Sequence, residues 1–200
     1  MLNNKFSKGV IFSCIAAIFW GLPQPLFFNE LNHVETIEVV AHRGFWSFIF
    51  LFLLLILISN ISDFIEIFKS RKRIFILTIT AFLIAGNWAG FIYSVGQERV
   101  QDASMGYFIT PMISIVLGYF FLNEKITKPK FASVCFMLSG ILFLFINLNQ
   151  FPFLIIWIGT SWAIYGLLRK QVNVNPSIGL LYETFITVSY THLTLPTTEA

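Results

Sequence analysis

The sequence predicts an all-α integral membrane protein, a polytopic bundle of helices that cross a lipid bilayer. Its composition and the placement of its basic residues carry this prediction. Of its 200 residues, 56% are hydrophobic and only 12% are charged, and the mean hydropathy is +0.77. Soluble domains carry about 25% charged residues, so this chain could not cover a water-facing surface with polar groups.

Basic residues alternate with apolar runs along the chain. Of the 13 Lys and Arg residues, eleven lie in four clusters: Lys5 and Lys8, residues 69–73, residues 125–130, and Arg169 with Lys170. The other connections, residues 29–36, 96–102 and 147–152, carry only Arg99. This alternation follows the positive-inside rule for multi-pass membrane proteins. It predicts a cytoplasmic N-terminus and places all four basic clusters on the cytoplasmic side.

The apolar runs predict the helices in order. A spanning helix needs about 17–25 mostly apolar residues, and six runs have this length: residues 9–28, 37–59, 74–95, 104–122, 131–147 and 152–168. A seventh run begins near Ile178 but meets a polar stretch after residue 188. Residues 61–73 mix charged and aromatic side chains, which predicts an amphipathic helix at the cytoplasmic interface, with a solvated loop as the alternative.

Two features divide the chain into parts. Residues 17–22 resemble residues 162–167, in helices that the charge pattern orients oppositely, as in the inverted repeats of secondary transporters. We therefore expect a first five-helix repeat over residues 1–148 and the beginning of a second over residues 152–188. Residues 189–200 resemble a translated adapter, and we interpret them as a non-native tail. A genuine polar C-terminus is the alternative.

Several classes of protein are disfavoured by what the sequence lacks. Cys14 and Cys135 stand alone inside apolar runs, which indicates packing residues rather than a disulfide or a metal site. The HExxH, P-loop and GxSxG patterns do not occur, so we expect neither an enzyme nor an ATP-driven pump, and no cofactor. The basic clusters flank spans of bilayer length, which argues against a nucleic-acid surface.

The second predicted span carries a cluster of ionisable residues. Glu38 and His42 share a helix face, Trp46 follows one turn later, and Arg43 adjoins this stripe. A charged side chain at the bilayer centre costs about 2.5–3.5 kcal/mol on insertion scales, so Arg43 should face the interior, paired with an acid or lining a watery cavity. The alternative is that these side chains snorkel to the outer interface.

Other candidates lie in the remaining spans. Asn87 and Trp88 sit mid-span between small residues, where Asn87 could bind substrate or join helices. Pro111 frees the carbonyl oxygen of Tyr107, and kinked helices often form transporter sites, although many prolines have no such role. Trp20 precedes a Gly-Leu-Pro break that could act as a hinge. The intramembrane Glu183 could pair with Arg43 or carry a coupling proton.

Apart from Trp20 and Glu38, these residues occur within motifs that resemble a known family. Residues 41–48, 86–88, 103–111, 117–124, 165–170 and 183–184 are similar to the RarD proteins of the EamA branch of the drug/metabolite transporter superfamily. The resemblance implies a bacterial inner-membrane protein of ten helices in two inverted repeats. This chain then contains the first repeat and the start of the second. It departs from the family at Asn123, where Gly often precedes Glu.

The resemblance and the residues together predict a permease for a small metabolite or drug that works by alternating access. Its expected partners are a small-molecule substrate and the bilayer, with a homodimer left open. The expected substrate-binding residues are Trp20, His42, Arg43, Trp46, Asn87, Trp88, Tyr107 and Pro111, with Arg43 anchoring an anionic group. Glu38 and Glu183 would balance charge or carry a proton. The alternative function is a membrane scaffold or accessory protein without transport.

Overall fold

A computed structural model describes residues 2–58, 61–146 and 152–194, and every regular element in these ranges is helical. The α-helices are α1 (Leu2–Gly21), α2 (Pro23–Glu30), α3 (Thr36–Ile58), α4 (Ile61–Ile65), α5 (Arg71–Gly96), α6 (Val100–Leu122), α7 (Lys128–Ile146), α8 (Phe153–Lys170) and α9 (Pro176–Thr194), with a 3-10 turn at Glu66–Lys69. The all-α class is confirmed.

Within the described ranges, five stretches of helix are long and apolar enough to cross a membrane: Phe6–Glu30, Thr36–Leu57, Arg71–Gly96, Val100–Leu122 and Lys128–Ile146. They correspond to the first five predicted spans. The predicted sixth span forms α8 but falls outside these five, because Thr160, Ser161 and the terminal Arg169 and Lys170 make it more polar.

The two proline-containing spans behave differently. The first is divided at Leu22, because α1 ends at Gly21 and α2 begins at Pro23, a residue without a backbone N–H to continue the helix. The fourth remains one helix through Pro111. There the Thr110 hydroxyl donates to the Gly106 carbonyl of the same helix at 3.2 Å.

The segment before α5 is shorter and more divided than the amphipathic helix that we predicted over residues 61–73. It consists of α4 and the 3-10 turn, and α5 already begins at Arg71, with Ser70 as its N-cap. Ile67 is fully buried, whereas Phe68 is half exposed. A buried and an exposed side therefore exist, with the apolar Phe68 on the exposed side, and the basic residues 71–73 belong to the first turn of the spanning helix.

The helix α9 runs to Thr194, past the predicted break at residue 188. The hydroxyl groups of Thr187 and Thr191 each donate to the carbonyl one turn earlier, at 2.9 Å, so these threonines fit a buried helix. The non-native origin of residues 189–200 stays a prediction, and residues 195–200 lie outside the described ranges.

The basic clusters that the structure describes in full meet at one end of the bundle. The Lys170 ammonium lies 3.0 Å from the Glu124 carboxylate, and it holds the pKa of that exposed carboxyl below its usual value. The cluster at residues 69–73 lies at the same end, because the ring of the preceding Phe68 is 5.7 Å from that of Tyr182, in the first half of α9. Arg99, the exception in the charge pattern, lies at the start of α6 and pairs with Asp102 at 2.7 Å.

The core forms where α8 and α9 pack against the earlier helices, α8 against α5 and α6, and α9 against α3 and α5. Glycines allow this approach: a Cβ on Gly159 would lie 2.7 Å from the Gly106 carbonyl oxygen. Trp157 lies over Gly86 and donates its indole N–H to the Gly86 carbonyl at 2.9 Å. Small residues at helix contacts are typical of membrane proteins, in which close packing drives association.

Candidate functional site

A cavity of about 800 Å³ lies between α1, α2 and α3. Most of its lining is apolar, and the residues are Phe19, Pro23, Gln24, Phe27, Phe28, Leu31, Val34, Glu38, Val39, His42, Arg43, Trp46 and Ser47. The four residues that we predicted to form a stripe on the second span all lie along the α3 wall of this cavity. Its volume is typical of small-molecule sites, which measure about 300–1,000 Å³.

Arg43 is half-buried and is held by aromatic rings. Its guanidinium carbon lies 4.4 Å from the centre of the Trp88 ring and 5.5 Å from that of Phe28. Both distances suit cation–π contacts. Among the described residues, none of the ion pairs involves Arg43. Of the two arrangements that we expected, an acidic partner or a place in a cavity wall, Arg43 has the second, with ring faces beside it.

Glu38 and His42 lie nearer the start of α3 than Arg43. The Glu38 carboxylate is 4.0 Å from His42 Nε2, and both side chains are at least half exposed. Trp46, one turn beyond His42, is 64% exposed. Five residues of helix separate Glu38 from Arg43, which corresponds to about 7.5 Å along the axis. The Glu38–His42 pair is thus the more exposed part of this ionisable cluster, and Arg43 is its half-buried part.

Asn87 joins three helices. It is fully buried on α5, where its side-chain N–H groups donate to the Ile158 carbonyl at 2.9 Å and to the Ser161 hydroxyl at 3.0 Å. Its carbonyl oxygen accepts from the Tyr107 hydroxyl at 3.0 Å. Protein groups therefore occupy both ends of the amide, which supports the interhelical role that we kept as the alternative to substrate binding.

An aromatic cluster adjoins this network. The Tyr107 ring centre lies 5.1 Å from that of Trp20 and 6.4 Å from that of Trp162, and Trp162 stacks on Tyr165 at 5.1 Å. Two of the predicted site residues, Trp20 and Tyr107, are thus in ring contact. Pro111 is one turn further along α6 with an exposed side chain, outside this cluster.

Glu183 lies in a second site, away from the cavity. It is fully buried, and its carboxylate accepts from the Thr80 hydroxyl at 2.7 Å and from the Tyr165 hydroxyl at 3.1 Å. Arg169 Nε lies 3.6 Å from the same carboxylate. The pairing of Glu183 with Arg43 that we considered does not form, because Arg169 holds the position next to it.

Sequence reasoning missed the partners of Glu183. Arg169 lies in the last turn of α8, where its charge counted toward a cytoplasmic cluster, but its side chain turns inward and is only 13% exposed. Gly179 makes room for it, since a Cβ there would collide with the guanidinium. Tyr165 and Arg169 are four residues apart and so share a helix face, a signal that could have indicated an inward-facing pair.

Comparison with known proteins identifies relatives over most of the chain. Residues 7–146 match the EamA-like transporter family. The chain is 33% identical over 177 residues to an uncharacterized transporter of Vibrio cholerae, covering 88% of this chain and 58% of that protein. The Protein RarD of Escherichia coli K12 is also 33% identical, with 88% and 60% covered. The uncharacterized transporter YojE of Bacillus subtilis is 30% identical over 189 residues, with 93% and 63% covered.

No solved structure matches this chain. The chain spans 58–63% of the length of these curated relatives. The expected resemblance to RarD proteins is confirmed, and the family is one of transporters rather than of enzymes. From the matched range of residues 7–146 and the helices long enough to cross a bilayer, we conclude that this multi-pass membrane protein belongs to the EamA-like transporter family.

Proposed function

We propose that this protein is a secondary transporter that moves a small metabolite or drug across the bacterial inner membrane by alternating access. One observation supports this beyond family membership. Arg43 faces a cavity of about 800 Å³ and has no carboxylate partner among the described residues. An ionised group among spanning helices is costly unless water or a ligand compensates it, and such groups commonly mark a substrate pathway.

Within this proposal the predicted residues take different roles. Arg43 anchors the substrate, with His42 and Trp46 beside it on the α3 wall. Trp88 holds the guanidinium, and Trp20 and Tyr107 form the adjoining aromatic wall. Asn87 fixes the position of Tyr107, and Pro111 leaves the Tyr107 carbonyl without its helical partner.

Glu183 is the better of the two candidates for charge balance or proton coupling. It bonds to groups on α5 and α8, the Thr80 and Tyr165 hydroxyls and the Arg169 guanidinium. Protonation would weaken its attraction to Arg169, and α9 could then separate from α8. Glu38 is half exposed in the cavity lining and lies next to His42 instead.

The proposed topology places the N-terminus in the cytoplasm. The cavity then opens toward the outer side, and the Glu183 site lies toward the cytoplasmic side. The homodimer stays a prediction, which crosslinking in native membranes would test.

Transport by reconstituted protein tests the proposed function. The protein, expressed from its complete gene, is placed in proteoliposomes and offered a panel of labelled metabolites and drugs. We expect uptake of at least one compound, and loss of that uptake in Arg43→Ala with insertion unchanged. Arg71→Ala, a change to an exposed residue at a helix end, is the matched control. Undiminished uptake in Arg43→Ala would refute the assignment.

A membrane scaffold without transport is the second candidate, and the saturated hydrogen bonding of Asn87 favours it at that residue. The same panel separates the two functions. If the protein is a scaffold, it accumulates none of the compounds. The Arg43→Ala variant then keeps the same protein partners in the membrane as the unchanged protein.

A further inference from the structure

We infer that the cavity beside Arg43 binds an amphipathic monoanion, a single carboxylate or similar acidic group attached to an aromatic or bulky apolar body. The inference rests on the proposed function and names its class of substrate. It follows from three properties of the cavity: one unpaired cation, its orientation on aromatic rings, and the apolar lining.

The cation is available to a ligand. Arginine stays protonated in proteins and has five N–H donors in one plane. The ring of Trp88 lies 4.4 Å and that of Phe28 lies 5.5 Å from the guanidinium carbon. No hydrogen bond or ion pair joins the Arg43 side chain to another side chain in the described ranges. The aromatic rings hold the guanidinium in place without using its N–H donors. A carboxylate can accept hydrogen bonds from two of these N–H groups at once.

The lining selects the rest of the ligand. Phe19, Phe27, Phe28, Leu31, Val39 and Trp46 form apolar walls around the guanidinium. A second charge on the ligand would lose its water against these walls without a partner, at a cost that hydrogen bonding does not offset. An aromatic or branched apolar body gains by burial there. The cavity therefore disfavours dianions as well as cations.

The remaining ionisable groups of the lining do not cancel Arg43. Glu38 and His42 lie 4.0 Å from each other, with side chains that are 50% and 67% exposed. They are closer to the start of α3 and contact each other rather than the guanidinium. A ligand in this cavity meets Arg43 as the half-buried positive charge of the lining, so its acidic group lies at Arg43 and its apolar body fills the rest of the cavity.

Quenching of tryptophan fluorescence tests this inference directly. The purified protein in lipid nanodiscs is titrated with 4-(4-bromophenyl)butanoate, with its primary amide and with the corresponding primary amine, since bromine quenches indoles that it approaches. Trp46 and Trp88 report binding at the cavity. We expect saturable quenching by the carboxylate, affinity at least about tenfold lower for the amide because the charge-assisted pair is lost, and no saturable binding of the amine. Partition into lipid is not saturable.

Variants assign the selectivity to Arg43. Arg43→Gln should bind the carboxylate and the amide equally, Arg43→Lys should prefer the carboxylate with lower affinity, and Arg71→Gln should behave like the unchanged protein. Equal binding of carboxylate and amide by the unchanged protein, or an undiminished preference in Arg43→Gln, overturns the inference. Should Arg43→Gln not fold, the Lys variant decides, because it must retain the preference.

A negative result in the binding experiment and a negative result in the transport experiment refute different claims. A protein that binds the carboxylate selectively but accumulates no compound retains the monoanion site and refutes transport. A protein that accumulates only neutral or cationic compounds, with no selective carboxylate binding, retains transport and refutes the monoanion site.

Discussion

The Arg43 cavity and the Glu183 site place an ionisable residue among apolar helices in opposite ways. Arg43 is half-buried beside open volume, and aromatic rings are its neighbours. Glu183 is fully buried, and it accepts hydrogen bonds from Thr80 and Tyr165 next to the Arg169 guanidinium. One group is held in position with its bonding capacity free, and the other is enclosed and bonded to its neighbours.

The difference follows from the packing of the surrounding helices. Around Glu183, α9 lies close to α3 and α5, and Gly179 leaves space for the Arg169 side chain that reaches Glu183 from α8. Around Arg43, α1 and α2 meet at the break at Leu22, and the large Phe27 and Phe28 side chains line an open cavity between these helices and α3. The comparison teaches that a charge joins helices where their backbones approach closely, and can serve a ligand where they do not.

The largest expected effect is the loss of stability when the enclosed charge is removed. Glu183→Leu leaves Arg169 buried without its carboxylate, and breaking a buried pair in this way costs about 3–5 kcal/mol. Arg43→Leu should cost far less, since it removes a cation that has no acidic partner among the described residues. Unfolding by sodium dodecyl sulfate, followed by circular dichroism, measures both.

A double variant sharpens this first prediction. Replacing Arg169 by Leu as well should restore part of the stability lost in Glu183→Leu, because the unpaired cation is gone. Equal stability losses in Glu183→Leu and Arg43→Leu would remove the distinction between the two regions.

A smaller effect is expected from overpacking the closed region. A Cβ on Gly159 would lie 2.7 Å from the Gly106 carbonyl oxygen, so Gly159→Ala must push α8 away from α6. Overpacking of this kind costs about 1–3 kcal/mol. Gly140→Ala on α7 is the matched control, since nothing lies within 4 Å of a Cβ there. If both substitutions shift the unfolding midpoint equally, close backbone contact does not hold this region together.

The smallest loss of stability is expected from breaking the exposed pair of Lys170 and Glu124. This pair serves as a reference for the buried pair of Glu183 and Arg169. The Lys170 ammonium lowers the pKa of Glu124, so the pair stabilises the folded protein above the ordinary glutamate pKa. That contribution should disappear as the pH falls through the lowered pKa, and high salt should screen it. The test compares acid unfolding of the unchanged protein and of Glu124→Gln. Identical pH profiles in low salt would contradict the prediction.

Features carried by one helix could be predicted from the sequence. Spacing alone placed Glu38, His42 and Trp46 on one face, and that face lines the cavity wall. The charge pattern likewise placed the basic clusters at one end of the bundle, where Lys170 contacts Glu124. A helical period or a run of charge is a local property, which is why these predictions hold without knowledge of the neighbouring helices.

Features that depend on two or more helices escaped the sequence. The charge pattern correctly put Arg169 at a helix end but could not indicate that its side chain turns inward to Glu183. The threonines after residue 188 predicted a break, yet α9 continues to Thr194 and packs against α3 and α5, with Thr191 buried and its hydroxyl bonded to the Thr187 carbonyl. In both cases the structure depends on helices that are remote in the sequence.

Hydropathy and charge by themselves determined that this chain threads repeatedly through a bilayer with its basic connections together, because transfer free energies add up residue by residue along the chain. Only the tertiary structure decided which ionisable group is enclosed and which faces a cavity. That choice depends on distances between helices remote in sequence, and close contacts such as that of Gly106 with Gly159 set those distances.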